Sequence, residues 1–292
     1  MSAAQSREPI LPCELLDQIC DLAAAVDKET RLSLSLASSR TRTIALNHLH
    51  TAPIIKTFAQ QDKYLEALGF FPSGSTPVYR RSPVVRGLWD ETISSHIIKM
   101  VGSFNCLRHL ALHRDAFAWL IQAADRDLKL TARDPKLDLH LTLFRLDDAL
   151  EGSATVFSLI TTLHILSFRR QHDLQYIGRV RRAFPRLKGL AIPALPMDYT
   201  HCQSDIMSDT LSPLEMVVLV CPNEPLAIKP AFETWRRLRN EERHIHLVEC
   251  SAERKDQCYS WETEVRGGES IWDRAAAYTT TLAKAYEQAG HA

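Results

Sequence analysis

One apolar pattern recurs along this chain, and it is clearest in Phe104-Asn105-Cys106-Leu107-Arg108-His109-Leu110-Ala111-Leu112. Its apolar positions return in three further segments: Ile160, Leu163, Leu166 and Phe168; Phe184, Leu187, Leu190 and Ile192; Leu211, Leu214, Val217 and Leu219. Two weaker copies keep only the last pair, at Leu139/Leu141 and Ile245/Leu247. The pair begins at positions 110, 139, 166, 190, 217 and 245, so the interval stays between 24 and 29 residues.

This interval falls in the range of about 20–29 residues that is typical of leucine-rich repeats. The alternation within each pair suits a short strand that buries one face. Helical patterns lie between the strands, with starts near Asp115, Asp173 and Pro230. Strand and helix in alternation predict a right-handed parallel stack, an α/β solenoid with a parallel sheet. A compact α/β domain with a parallel sheet is the structural alternative.

In such a stack the residues between the buried strand positions lie on the opposite face of the sheet, where repeat proteins usually bind ligands. Ile165 and Ser167 fall on this predicted face. The residues expected to bind a target protein are His109, His113, His140, Arg169, Met216, His244 and His246. The alternative is that loops of the chain itself cover this face.

The N-terminal segment has the pattern of three short helices. Pro12 suits a first helical turn, and Glu14 lies near the positive end of the helix dipole. A second helix is expected after Asp27 and a third from about Ser39 to His50. Helices this short bury too little apolar surface to be stable alone, so they need the rest of the chain or a partner. The sequence therefore predicts a docking element.

The same segment resembles an F-box. The similarity is carried by Leu11-Pro12-x-Glu14-Leu15-Leu16-x-x-Ile19-x-x-Leu22-Ala23, then by Leu32-Ser33-Leu34-x-Leu36-Ala37-Ser38-x-Arg40 and Ile44-Ala45. Cys20 departs from the aromatic residue of many members, and no tryptophan follows the Ser-x-Arg segment. The resemblance implies binding to the Skp-type adaptor protein of a cullin–RING ubiquitin ligase. The implied adaptor-binding residues are Leu11, Pro12, Leu15, Leu16, Ile19, Leu32 and Leu36.

These patterns divide the chain into three parts. Residues 8–50 form the F-box-like helical module, and residues 51–90 a connecting helix and loop, with a Pro/Gly/Ser cluster after Phe71. Residues 91–292 form the degenerate leucine-rich-repeat solenoid. A helix from about Ser270 to Gln288 is expected to cap the end of the stack, because repeat folds need such caps.

Charge balance, cysteine spacing and the N-terminal residues limit the classes of partner and the compartments that we expect. Lysine plus arginine equals aspartate plus glutamate at 35 each, which gives no electrostatic reason to expect nucleic acid or an anionic membrane. The seven cysteines show no C-x-x-C spacing, and the N-terminus has no apolar run typical of a signal peptide. We therefore expect a cytoplasmic or nuclear protein with no membrane segment.

The sequence offers no catalytic motif, so we expect no enzyme and no cofactor. The histidine pairs His109/His113 and His244/His246 lack a neighbouring carboxylate or cysteine at ligand spacing, so no metal is expected. The predicted function is the substrate-recognition adaptor of a Skp–cullin–F-box ubiquitin ligase, which also binds an unknown target protein. A scaffold unrelated to any ligase is the first alternative. A hydrolase or transferase with a deep pocket of clustered titratable residues is the second.

Overall fold

The computed structural model describes residues 11–70, 84–126, 138–145, 154–167, 180, 183–194, 214–223, 232, 235–236 and 244–290. One parallel sheet of eight strands forms its centre, and the strands follow one another in chain order. They are β1 (Ile54–Ile55), β2 (Gly87–Asp90), β3 (His109–Leu112), β4 (Leu139–Leu143), β5 (Ile160–Ile165), β6 (Gly189–Pro193), β7 (Met216–Pro222) and β8 (Ile245–Cys250). The sheet is open, with β1 and β8 at its edges. The prediction of an α/β chain with a parallel sheet is confirmed.

Helices precede, connect and follow the strands. The N-terminal ones are α1 (Cys13–Val26), α2 (Lys28–Ala37) and α3 (Ser39–Thr51). Those between strands are α4 (Phe58–Ala67), α5 (His96–Ser103), α6 (Arg114–Arg126) and α7 (Ala154–Phe157). Two more follow β8, namely α8 (Arg254–Val265) and α9 (Ile271–Gly290). The last corresponds to the helix predicted from about Ser270. Those expected near Asp173 and Pro230 lie largely outside the described residues.

A row of apolar side chains crosses the first face of the sheet. Its members are paired from strand to strand and are at most 2% exposed: Leu88, Leu110, Leu141, Leu163, Leu190, Val217 and Ile245. Apolar side chains of α5 and α6, among them Met100 and Phe117, belong to the same core. Burying each side chain of this size contributes about 1.5–3 kcal/mol. This row is what holds successive strands together.

Two strands take a register that differs from the prediction. Leu110 pairs with Leu141 and not with Leu139, and Leu163, not Leu166, holds the equivalent position in β5. The expected outward position of Ile165 is therefore wrong, since this residue is fully buried in the first-face core. A shift by an odd number of residues exchanges the two faces of a strand.

The segment 51–90 contributes more than the predicted connecting helix and loop. Besides α4 it supplies β1 and β2, and β2 pairs with β3 along its whole length, from Gly87 opposite His109 to Asp90 opposite Leu112. The sequence of β2, Gly-Leu-Trp-Asp, has only one leucine and no Leu-x-Leu pair. For this reason the repeat pattern missed it.

Helices α8 and α9 cover the second face of the sheet. Trp261 and Val265 of α8 pack with Trp89 of β2 and Ala111 of β3. At the other end, three small or branched strand residues meet two residues of α9: Ala191, Val218, Val248, Ile271 and Ala275. The sequence left two alternatives for this face, an open binding surface or a surface covered by the chain's own loops. The chain itself covers much of the face, but with helices and not with loops.

Gly87 permits the close approach of α8. A β-carbon at this position would lie 2.7 Å and 2.8 Å from the two γ-methyl carbons of Val265 and 3.0 Å from the Trp261 ring. Contacts this short are not tolerated without movement of the helix. The glycine therefore sets how near α8 can lie to β2.

Helix α9 also closes the exposed edge of β8. The hydroxyl of Thr279 accepts a hydrogen bond from the Leu247 backbone N–H at 2.9 Å and lies 3.2 Å from the Leu247 carbonyl oxygen. Unpaired backbone groups on an edge strand are open to pairing with another chain. Thr279 satisfies one such position from within the molecule.

Replacing Thr279 with valine should lower the free energy of unfolding by about 1–2 kcal/mol, because a buried N–H and C=O then lose their partner while side-chain volume is kept. Urea denaturation measures this change. Thr280→Val is the matched control, because the exposed Thr280 hydroxyl donates to the Ala276 carbonyl of its own helix and to no other group in the described part of the chain. Equal losses in the two variants would contradict an edge-closing role.

Within the described residues, no helix is both long enough and apolar enough to cross a membrane.

Candidate functional site

The N-terminal helices are joined by polar contacts. Asp27 caps α2, as predicted, by accepting a hydrogen bond from the Thr30 backbone N–H at 2.7 Å. Arg40 of α3 donates to both carboxylate oxygens of Asp17 of α1, at 2.6 Å and 2.7 Å. This hydrogen-bonded guanidinium lowers the pKa of the Asp17 carboxyl. The pair fixes α1 against α3.

These helices leave their large apolar side chains in solvent. Their buried apolar residues are small: Cys20, Ala24 and Ala45. We call the exposed set the apolar N-terminal surface, and its members with their exposed fractions are Leu11 (54%), Leu15 (46%), Leu16 (40%), Ile19 (52%), Leu22 (69%), Leu32 (46%) and Leu36 (80%). Pro12 is also exposed. All the predicted adaptor-binding residues are thus accessible to a partner.

Part of this surface forms a stripe along α1. Leu11, Leu15, Ile19 and Leu22 are spaced by three or four residues, and residues at that spacing share one side of a helix. Exposed apolar side chains that occur singly are normal on a protein surface, but a grouped set marks an interaction site. The surface therefore has the character of an interface.

An ion-pair network ties the N-terminal helices to α8. Arg31 of α2, only 4% exposed, lies 3.3 Å from the Glu262 carboxylate, and Arg266 lies 2.8 Å from the same oxygen. Arg266 also donates to the His48 carbonyl of α3 at 2.9 Å. Burial, together with the nearby Arg266 charge, lowers the pKa of Arg31. Glu262 is the carboxylate on which both cations depend.

A cavity of about 470 Å³ lies between the second face of the sheet and helices α8 and α9. This volume is within the range of small-molecule sites, roughly 300–1,000 Å³. Among its lining residues are these titratable ones: His109, His140, His164, Glu249, Glu264 and Arg274. A cavity with clustered titratable side chains is the feature that the hydrolase or transferase alternative requires.

Three of these side chains converge. His109 and His140 are direct neighbours on β3 and β4, and their rings stack at 4.6 Å between centroids. Glu264 enters from α8, with a carboxylate oxygen 3.8 Å from Nδ1 of His109. One nitrogen or oxygen from each of the three residues lies within 4.8 Å of the others. The sequence argument against a metal rested on the lack of a neighbouring carboxylate, and α8 supplies one.

Burial governs the protonation of this group. It lowers the pKa of His109 to about 3, with further lowering by His140 and Arg108, and it also lowers the pKa of His140. Burial raises the pKa of Glu264, against the opposing effect of the Ile271 backbone N–H. Both imidazoles are therefore neutral at pH 7, when each can offer a lone pair.

His164 is partly buried and lines the same cavity. Burial lowers its pKa to about 3, and the Arg274 charge acts in the same direction. Its Nε2 has no hydrogen-bond partner in the part of the chain that the structure describes. Sequence reasoning placed this residue in no site, because the register predicted for β5 was displaced.

The pKa of His164 predicts an acid sensitivity of the fold. Between pH 6.5 and about 3 the unfolded chain binds a proton that the native His164 does not, so stability rises with pH and is lost on acidification. His164→Gln should reduce this dependence by about 1 kcal/mol per pH unit. Urea denaturation between pH 4.5 and 6.5 checks it. The raised pKa of Glu264 makes stability fall as pH rises, but Glu264 is present in both the unaltered protein and the variant. Equal slopes of unfolding free energy against pH in these two proteins would contradict the prediction.

The predicted target-binding residues do not share one open surface. His109 and His140 line the cavity. Met216 is partly buried and packs with the cluster that contains Ile271 and Ala275 of α9. Helix α9 therefore limits the access of a folded target protein to Met216.

The other predicted target-binding residues lie apart from the cavity cluster. His113 follows β3, with Nδ1 3.5 Å from the Asp115 carboxylate. His244 precedes β8 and His246 lies within it, and both are partly buried. Arg169 lies outside the described residues.

Helix α8 was missing from the sequence prediction although it carries Glu264. Cys258, Trp261 and Val265 are its buried residues, and their spacing of three and four positions is the signal that could have found it.

No protein-family model matches the chain, and no curated protein matches it at a significant level. Function is therefore inferred from the chain's own residues and geometry.

Proposed function

We propose that this protein is the substrate-recognition adaptor of a Skp–cullin–F-box ubiquitin ligase, with no catalytic step of its own. The observation that carries the proposal is the apolar N-terminal surface, whose seven side chains are between 40% and 80% exposed. Five of them lie on or next to α1, and the F-box resemblance implies adaptor contact for four of these five: Leu11, Leu15, Leu16 and Ile19. The N-terminal helices would dock the ligase, and the rest of the chain would hold the target.

The energetics favour a tight interface at this surface. Full burial of a leucine or isoleucine side chain contributes about 1.5–3 kcal/mol. In the free protein these side chains stay largely exposed, so most of this stabilisation is not realised. A partner that covers them gains a substantial part of this energy. Burying these exposed side chains against a partner is therefore more favourable than leaving them in water.

The arrangement of the sheet supports a leucine-rich-repeat-like solenoid behind this module. Each strand adds beside the previous one, and one apolar row passes from Leu88 to Ile245. Such stacks grow by repetition of similar units. In this proposal the target reaches the cavity with a side chain or a short segment, because α8 and α9 cover the remainder of the second face.

Capture of a purified Skp-type adaptor by the full chain tests the proposal. Leu11→Ala combined with Pro12→Ala should reduce captured adaptor by at least about tenfold, since Leu11 begins the stripe, the exposed Pro12 adjoins it, and truncating an interface anchor costs about 1–2 kcal/mol or more. Phe58→Ala is the matched control, because Phe58 is 58% exposed and apolar but lies on α4.

Two outcomes would contradict this function: no capture by the unaltered protein, or equal capture by the double variant. Either result favours an interaction scaffold unrelated to a ligase. In that alternative the N-terminal helices only cap the stack of strands. The ion pairs of Arg31 and Arg266 with Glu262 support it, because they anchor α2 and α3 on α8.

A further inference from the structure

We propose that His109, His140 and Glu264 form a binding site for a divalent transition-metal ion, with Zn²⁺ as the best match. The site lies in the cavity on the second face of the sheet and is separate from the apolar N-terminal surface. It does not depend on the ligase proposal.

The donor atoms are already close to ligand positions. In a tetrahedral zinc site with bonds of about 2.0–2.1 Å, neighbouring donor atoms are roughly 3.4 Å apart. Nδ1 of His109 and the Glu264 oxygen are separated by 3.8 Å, and the whole set lies within 4.8 Å. Side-chain rotation that shortens the longest of these separations by about 1.4 Å is enough to coordinate an ion.

The fold holds two of the ligands firmly. His109 and His140 stand opposite each other in the registered pair of β3 and β4, and the Thr162 hydroxyl lies 2.8 Å from Nδ1 of His140. A hydrogen bond to one ring nitrogen fixes the ring and leaves the other, Nε2, for a metal. Thr162 thus has the position of an outer-shell partner.

The third ligand is also fixed by backbone. The Ile271 N–H donates to Oε2 of Glu264 at 3.3 Å, while the other oxygen, Oε1, is the one near His109. The carboxylate therefore presents one oxygen to the histidines and keeps the other on the start of α9. Metal-ligating carboxylates are commonly held in this way.

A second observation in the same cavity points to a ligand. The His164 Nε2 is buried and has no partner among the described residues, although buried polar atoms nearly always have one. This nitrogen lines the cavity that contains the three donors. A bound ion with its water, or a polar ligand on that ion, would supply a partner.

The donor set selects the kind of ion. Two imidazoles and one carboxylate suit Zn²⁺ and its transition-metal neighbours, whereas Mg²⁺ and Ca²⁺ prefer oxygen donors alone. Three protein ligands leave a fourth position for water or for a group that enters the cavity. Such a position is found in zinc sites that bind or activate ligands.

Titration of the untagged full chain with Zn²⁺ and with Co²⁺ tests the site. The background should carry Cys13→Ser and Cys106→Ser, whose thiols are exposed, and Cys202→Ser, which lies outside the described residues, because free thiols can bind the same ions. We expect one ion per chain and a Co²⁺ absorption spectrum of tetrahedral nitrogen and oxygen ligation without a thiolate charge-transfer band. The absence of stoichiometric binding, or a thiolate band, would overturn the proposal.

Variants locate the ion. Glu264→Gln and His140→Ala should each weaken Zn²⁺ affinity by at least about 100-fold, and Thr162→Val by roughly 10-fold, since outer-shell losses cost 10–100-fold. His113→Ala is the control, because His113 and Asp115 form a His–carboxylate pair at 3.5 Å that has no third donor among the described residues. Circular dichroism confirms that each variant is folded, and Glu264→Gln keeps the shape of the site. An equal loss in the control variant would place the ion elsewhere.

Discussion

Replacing Trp89 with alanine is expected to lower the free energy of unfolding by about 3–5 kcal/mol, the range for removal of a large aromatic side chain from a core. Trp89 is fully buried on the second face of the sheet. Its ring lies 4.8 Å from that of Phe144 and 5.5 Å from that of Trp261, measured between centroids. The loss is large because β2, the end of β4 and α8 all meet at this side chain.

The indole nitrogen adds to the cost. It donates a hydrogen bond to the Glu91 carboxylate at 2.8 Å. In Trp89→Phe most of the packing is kept and this bond is lost, so about a third of the alanine effect is expected. Chemical denaturation measures both variants, with Phe58→Ala as the exposed aromatic control. A change below about 1 kcal/mol for Trp89→Ala would mean that α8 does not pack on β2 as described.

Removing the shared carboxylate with Glu262→Ala is expected to cost about 3 kcal/mol, near the lower end for buried ion pairs because Glu262 is 19% exposed. The variant leaves the guanidinium of Arg31, which is 4% exposed, without its ion-pair partner, and only the more distant charges of Asp27 and Glu29 remain among the described residues. Arg266 loses the same partner. The penalty for an uncompensated buried cation exceeds the value of the contact itself.

The matched control is Glu215→Ala, which breaks the exposed pair of Glu215 with Lys188, 3.0 Å apart. Exposed pairs contribute less than about 1 kcal/mol, so this variant should be close to neutral. Differential scanning calorimetry of both variants compares the two environments. If they lose the same stability, the Arg31 site is open to water and the network does not anchor the N-terminal helices.

The repeat pattern predicted most of the sheet because it depends on one local rule. Leu110, Leu190, Val217 and Ile245 were placed correctly in one row, since each begins a pair of apolar residues two positions apart in its strand. Local alternation decides which side chains can be buried together. It does not require knowledge of distant contacts.

The register of β5 could not be decided by the same rule. Ile160, Leu163 and Leu166 are spaced by three residues, so the template fits the segment in two ways. The structure chooses Leu163 and Ile165 for the first face, which places Thr162 and His164 on the second. Only the neighbouring strands settle this choice, because they fix which face is buried.

The proposed metal-binding group of His109, His140 and Glu264 could not be predicted from the sequence. His109 and His140 lie on successive repeats and Glu264 on a helix beyond the last strand, with no spacing that relates them. Packing of Trp261 and Val265 on the sheet brings the carboxylate to the imidazoles. In contrast, the apolar N-terminal surface followed directly from helical spacing and a shortage of apolar burial.

The position of α8 and α9 has a consequence for synthesis on the ribosome. The strands can pair one after another as they emerge, because each needs only the strand before it. The parts of Trp89, Ala111 and Val218 that α8 and α9 cover stay exposed until both helices have been translated, although Phe144 already packs against the Trp89 ring. A nascent chain stalled before Arg254 therefore exposes apolar surface on the second face of the sheet, and chaperones bind intermediates of this kind.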